Sequence, residues 1–143
     1  MSAQNLEIVR RGYEHFAATG ELLGEAIGPE FVWDMSTFRD WPERQTYQGM
    51  EGAQEFLADW REAWEDWRLE VEEYRAAGDK VVVVARQRGR AKATGLPVDM
   101  HFAQVWTVRD GMYTRMEMYA DPGEALRAVG LGEAGAEDAT EAG

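Results

Sequence analysis

The chain contains no cysteine. Disulfides, a thiol nucleophile and a thiolate-bound metal are all excluded, and nothing in the sequence marks an oxidising or reducing compartment. Histidine is scarce as well, with only His15 and His101. Neither has acidic partners at ligand spacing, so no metal site is expected. Basic residues are in the minority, 15 Lys and Arg against 27 Asp and Glu, for a formal net charge of -12. Binding nucleic acid requires a basic surface that displaces phosphate counterions, which argues against that partner and leaves uncharged or cationic small molecules. No apolar run approaches the roughly 18 residues that cross a bilayer. The opening MSAQNLEIVRR also lacks the apolar core of a secretion signal, so the expectation is a cytoplasmic protein with no membrane partner.

With 143 residues the chain is long enough for one domain with a real core. Leu6, Val9, Tyr13, Phe16 and Ala17 fall at helical spacing before Gly20, which predicts an amphipathic helix over 4–18 and a short helical piece at 21–27. EFVWDMS reads as a strand bounded by Gly28-Pro29 and by the polar loop STFRDWPERQTYQG. EGAQEFLADWREAWEDW places Ala53, Phe56, Leu57, Trp60, Trp64 and Trp67 on one helical stripe, whose expected role is core packing with one ring at a pocket mouth. Four strand patterns follow, RLEVEEYRA, KVVVVARQRGRAK and the two arms of DMHFAQVWTVRDGMYTRMEMYAD, with turns at Gly78-Asp79, Gly95-Leu96-Pro97 and Asp110-Gly111. Asp121-Pro122 opens a last short helix that Gly130 closes. The tail LGEAGAEDATEAG is acidic and has little to bury, and composition predicts disorder for it.

Helix, helix, strand, helix and four consecutive strands is an α+β order, with helices closing the concave side of a strongly curved, mostly antiparallel sheet. At YEHFAATGEL, FVWDMS, YQGMEGAQEFLADW, VWTVRDGMYTRMEMYAD and EALRAVGL the chain resembles the superfamily of nuclear transport factor 2, ketosteroid isomerase, limonene epoxide hydrolase and the SnoaL-like polyketide cyclases. The resemblance covers residues 4–131 and is nearest to the SnoaL-like branch. It implies a cone-shaped cavity in a nuclear transport factor 2-like, cystatin-like roll, one domain over residues 1–131 and a separate tail over 132–143. It also implies a homodimer through the outer sheet face.

Turn geometry decides which face of the last hairpin points into such a cavity. A three-residue RDG loop pairs Val108 with Met112, and sets Trp106 against Thr114, Gln104 against Met116 and Phe102 against Met118. His101, Thr107, Tyr113, Arg115, Glu117 and Tyr119 then face outward. A two-residue Asp110-Gly111 turn would put Gln104 beside Glu117 and Trp106 beside Arg115, since a one-residue slip exchanges the faces. The first arrangement is the expectation. On the preceding strand, Ala85 and Gln87 read as inward, with Arg86, Arg88 and Arg90 outward opposite Glu70 and Glu72. That charge ladder is expected to be a solvated face.

The resemblance assigns candidate chemistry. Tyr13 matches the tyrosine donor of ketosteroid isomerase, Asp34 its general base, and Gln104 the position of a second donor that is there a protonated aspartic acid. Gln104 is a weaker acid and would stabilise an oxyanion less well. Positions matching the catalytic arginine, aspartates and asparagine of limonene epoxide hydrolase are Ala85, Gln87, Met118 and Asp34, so one carboxylate remains and epoxide hydrolysis is not expected. The implied reading is proton transfer without a cofactor, an isomerisation, cyclisation or hydration, on an apolar carbonyl-containing small molecule. Phe16, Trp33, Trp60, Gln87, Phe102, Trp106, Met116 and Met118 would surround that ligand. Each residue also has a plain alternative: Tyr13 as a core tyrosine, Asp34 as a strand-end carboxylate, and Trp33, Phe38 and Trp41 as either a lid or buried rings. A non-catalytic binding or dimerisation module of the same fold stays open beside the enzyme.

Overall fold

The computed structural model describes residues 2–38 and 46–131. Helix α1 covers Ser2–Thr19, a short 3-10 turn Gly24–Ala26 follows, and strand β1 covers Ile27–Asp34. Next come β2 Thr46–Gln48, α2 Gly49–Glu62, β3 Trp64–Ala77, β4 Lys80–Ala91, β5 Pro97–Arg109, β6 Met112–Tyr119 and α3 Pro122–Ala128. One six-stranded sheet has the order β2-β1-β6-β5-β4-β3, antiparallel except where β1 runs parallel to β6. The expected α+β architecture is present. Trp41 lies outside the described residues, as does the acidic tail from residue 132 onward.

The main core fills the space between the concave sheet face and the helices α1 and α2, with Val9, Phe31, Trp33, Phe56, Trp60, Trp106 and Met116 all buried. Gly52 makes the α2 contact possible, because a Cβ there would sit 2.8 Å from the backbone carbonyl carbon of Tyr47. The convex face is not wholly open. Helix α3, begun by Asp121 accepting from the Gly123 amide, covers Val82, Val84, Ala103 and Val105 with Ala125 and Leu126.

Four sequence expectations change, the first being that Thr46–Gln48, read as part of a polar loop, forms strand β2 against β1. Helix α2 ends at Glu62, and Trp64 and Trp67 belong to β3, so the tryptophan stripe is split between a helix and a strand. The strand β1 begins at Ile27 rather than after Gly28-Pro29, with an irregular register before Val32. The β5–β6 turn is the two-residue Asp110-Gly111 form, with both residues at positive φ (52° and 75°).

Past that turn a bulge restores the expected face. Val108 pairs with Tyr113, but Thr107 pairs with Arg115, leaving Thr114 as the extra residue. Beyond it Trp106 opposes Met116 and Gln104 opposes Met118. The inward set is therefore as expected, while each cross-strand partner lies two residues further along. Of the residues expected to face outward, Tyr113 changes sides: it is buried, with its hydroxyl donating to the Ile8 carbonyl oxygen at 2.7 Å. On the other face Arg86 and Asp99 form a two-point contact, both distances 2.7 Å, and Glu72 meets His101 at 3.1 Å. These groups are well exposed, so solvent screening leaves each pair little weight in stability.

Candidate functional site

Alternation places one residue in two of each strand on the concave face, and the strands converge with α1 and α2 on an apolar cavity of about 60 Å³. Its wall contains Tyr13 and Phe16 from α1, Trp33 from β1, Trp60 from α2, Gln87 from β4, Phe102, Gln104 and Trp106 from β5, and Met118 from β6. Nine of the eleven candidate residues thus meet at one place. Met116 is fully buried but lies behind the wall, and Asp34 is not part of it.

The polar interior is organised as a relay. The Trp106 indole N–H donates to the Tyr13 hydroxyl oxygen at 2.8 Å, and that hydroxyl donates in turn to the side-chain carbonyl of Gln104. With its carbonyl used this way, Gln104 keeps its amide N–H pair without an acceptor among the described residues. Burial pushes the Tyr13 hydroxyl well above its ordinary pKa, against a smaller opposing effect of the Trp106 N–H. Tyr13 therefore stays protonated and serves as a donor, not a base. A chain of bonds of this kind polarises its members, which makes the terminal amide a better donor to a carbonyl.

Gln87 has a different role from that of a ligand contact. Its side-chain oxygen accepts from Trp67 at 2.7 Å and from Trp60 at 3.2 Å, and its amide nitrogen lies 3.0 Å from the Met100 sulfur. Both lone pairs are in use, so Gln87 holds two walls of the cavity in place. The indole N–H of Trp33 is buried and meets no acceptor among the described residues.

Asp34 needs correcting as the general base. It follows Trp33 on β1, and neighbours on a strand point to opposite faces. Trp33, opposite Met116, faces the cavity, so Asp34, opposite Glu117, faces away. There it is 7 % exposed at the side chain, accepts from the Ser36 amide at 2.8 Å and pairs with half-buried Arg115. Desolvation works against its charge, but Ser36 and then Arg115 outweigh that and hold the carboxyl below its ordinary value. Both Trp33 and Asp34 could not have lined the same cavity, and strand alternation alone carried that signal.

The sequence reading missed Trp67, Tyr113, Phe56, Leu22, Leu23, Leu57 and Leu69 as lining residues. Trp67 was hidden by a helical spacing that continues from Trp60. Tyr113 was hidden by the bulge. Phe38 is buried and meets Trp60 edge to face at 5.9 Å, which answers the lid question for that ring in favour of the core. Among the described residues no group of three His, Asp or Glu side chains is placed to hold a metal ion, and no helix is long and apolar enough to cross a membrane.

A model of the SnoaL-like domain matches residues 9–116. No curated protein matches the chain. Among solved structures, TerC crystallised with polyporic acid is 27% identical, with a TM-score of 0.69 over 88% of this chain and 97% of that one. A protein of Jannaschia sp. CCS1 assigned as a SnoaL-like polyketide cyclase is 26% identical, with a TM-score of 0.67 over 90% and 92%. An NTF2-like protein of Burkholderia thailandensis E264 shares the fold at a TM-score of 0.73 and 22% identity, over 87% and 95%.

Proposed function

The chain belongs to the SnoaL-like domain family, and from that premise we propose that it binds the carbonyl-bearing end of an apolar small molecule and polarises that carbonyl through Gln104. The observation that carries this is the relay from Trp106 through Tyr13 to Gln104, set in a wall built mostly of Trp, Phe, Leu and Met. The relatives supply context, since TerC is crystallised with polyporic acid and the Jannaschia protein is assigned as a polyketide cyclase.

Isomerisation, cyclisation or hydration also requires a group that moves a proton. The described cavity residues offer neutral donors, and Asp34 faces the other way as a carboxylate with a lowered pKa. Binding with carbonyl polarisation is therefore the function the geometry supports best. Catalysis is the second reading, favoured by one observation: a buried donor relay of this kind is what stabilises a developing enolate oxygen.

Tryptophan fluorescence tests the first reading, because Trp33, Trp60, Trp67 and Trp106 line the cavity. An alkyl naphthyl ketone is expected to bind about five-fold more tightly than the matching alkyl naphthalene, one hydrogen bond being worth about 1 kcal/mol. Gln104→Leu is expected to abolish that preference. Equal affinities for the two ligands in the unaltered protein would remove Gln104 from the proposal.

Deuterium exchange at the carbon beside the ketone tests the second reading. Exchange above the buffer rate that falls in Gln104→Leu and persists in Asp34→Asn would establish donor-only catalysis. Loss of exchange in Asp34→Asn would return the base role to Asp34. The homodimer through the outer sheet face belongs to the same proposal, and light scattering coupled to gel filtration measures it directly.

A further inference from the structure

Beside the cavity runs a larger groove, of about 680 Å³ in all, between α1 and the edge strand β3. Tyr13, Phe16, Trp67 and Leu69 line both spaces. Phe16 meets Trp67 edge to face at 6.0 Å, and Gln87 holds the Trp67 indole from behind at 2.7 Å. An aromatic partition therefore stands where cavity and groove meet.

The groove wraps the edge of the sheet, and its two sides differ. On the outer face Arg68 opposes Arg88, and Arg88 lies 3.8 Å from Glu70 and 3.9 Å from Asp99. The side toward α1 is apolar. There Leu69 pairs with Gln87, Val71 with Ala85 and Tyr74 with Val83, and all three partners are buried in the concave face. Glu72 is the extra residue of a bulge between Val71 and Glu73. Unbroken alternation would turn Glu73 inward after Leu69 and Val71, and the bulge puts Tyr74 there instead.

The result is a half-buried stripe of Trp67, Leu69, Val71 and Tyr74 that lines the groove together with Tyr13, Phe16 and Ala17 of α1. Tyr13 and Tyr74 meet edge to face across it at 6.1 Å. The guanidinium groups beside these rings are engaged: Arg10 lies over Tyr74 at 5.2 Å, and Arg61 lies over Phe16 while donating to the Gly20 carbonyl oxygen. This side of the groove suits an uncharged ring.

Volume decides what must lie there. At about 60 Å³ the inner cavity is far below the about 300–1,000 Å³ of sites that enclose drug-sized ligands. A ring system bound with its carbonyl at Gln104 must extend past Trp67.

We propose that the concave side of the groove is the outer half of the ligand site, seating the uncharged ring body of the ligand between Ala17 of α1 and Leu69, Val71 and Tyr74 of β3. Ala17 sets the size of that body, because its methyl group leaves width that a larger side chain would fill. This rests on the cavity reading above and adds where the rest of the ligand lies.

An alkyl phenanthryl ketone adds one fused ring to the alkyl naphthyl ketone. Calorimetry is expected to show it binding about ten-fold more tightly, from the added apolar surface removed from water. Ala17→Trp is expected to erase that gain. Ala17 is exposed, so the variant should melt with the unaltered protein. In the unaltered protein, ring currents of the phenanthryl ketone should shift the methyl NMR signals of Ala17, Leu69 and Val71.

A phenanthryl ketone that binds no more tightly than the naphthyl one, or a gain that survives Ala17→Trp, would overturn the groove proposal. The cavity reading would stand if the Gln104-dependent ketone preference were intact. Methyl signals that move on dilution of the protein but not with ligand would give the groove to a second copy of the chain and also overturn it. Loss of the ketone preference alone, with the ring gain and its Ala17 dependence present, would overturn the cavity reading instead.

Discussion

Gln87→Leu is expected to lower the thermal midpoint by about 6–12 °C, which corresponds to about 2–4 kcal/mol for a chain of this size. Leucine fits the volume, so a cavity is not the cause. The loss comes from removing the one oxygen that accepts from the indoles of both Trp67 and Trp60. A buried N–H deprived of its acceptor costs about 1–3 kcal/mol, and Gln87 itself is 1 % exposed. Differential scanning calorimetry gives the midpoint.

Two further readouts tie that loss to the site. Acrylamide should quench tryptophan emission more strongly in the variant, because Trp67 is no longer held against the cavity. Ligand dissociation should quicken for the same reason, the partition opening more often. A variant that melts with the unaltered protein would show that the indoles find other acceptors, and the latch would have no role.

Asp34→Asn is expected to destabilise the fold by about 2 kcal/mol at neutral pH, the range for a hydrogen bond to a charged group. The substitution keeps the shape and an acceptor for the Ser36 amide, but removes the charge that Arg115 pairs with. The direction with pH follows from the lowered pKa of Asp34. Above the unfolded value of about 3.9 the carboxylate is ionised in both states and its contribution is complete. As the pH falls through that value toward the lower folded one, the unfolded state binds the proton first and the contribution is lost.

Urea melts at a series of pH values should therefore show a constant gap between the two proteins near neutrality and a shrinking one below about pH 4. A gap that is absent at pH 7, or that widens on acidification, would contradict the ion pair. It would place Asp34 in a desolvated setting of the kind a general base needs.

Much of the site could be read from local pattern. Phe102, Gln104 and Trp106 share a face because strand side chains alternate with a period of two, and Ala85 with Gln87 follows the same rule on β4. Asp121, Pro122 and Gly130 marked α3 through capping chemistry confined to a single helix. The absence of cysteine and the acidic charge balance narrowed the chemistry before any element was placed.

Misreadings arose where two local periods compete or where the alternation breaks. Trp60, Trp64 and Trp67 fit helical spacing, yet α2 stops at Glu62 and the last two belong to β3. The strand wins because β3 gains a ladder of hydrogen bonds with β4 that begins at Trp64 opposite Ala91. That pairing is invisible in the segment itself. The two-residue turn sets Tyr113 opposite Val108 and so toward the core, and the one inserted residue, Thr114, returns the rest of β6 to the expected face.

By itself the sequence determined most of the elements, the α+β class, the inward face of the central strands and the lack of thiol chemistry, because each depends on neighbours close along the chain. Only the tertiary structure decided that Asp34 pairs with Arg115 on the outer face, that Gln87 serves two tryptophans rather than a ligand, and that a groove adjoins the cavity. These depend on register between strands far apart in sequence, where one inserted residue exchanges the faces of a sheet.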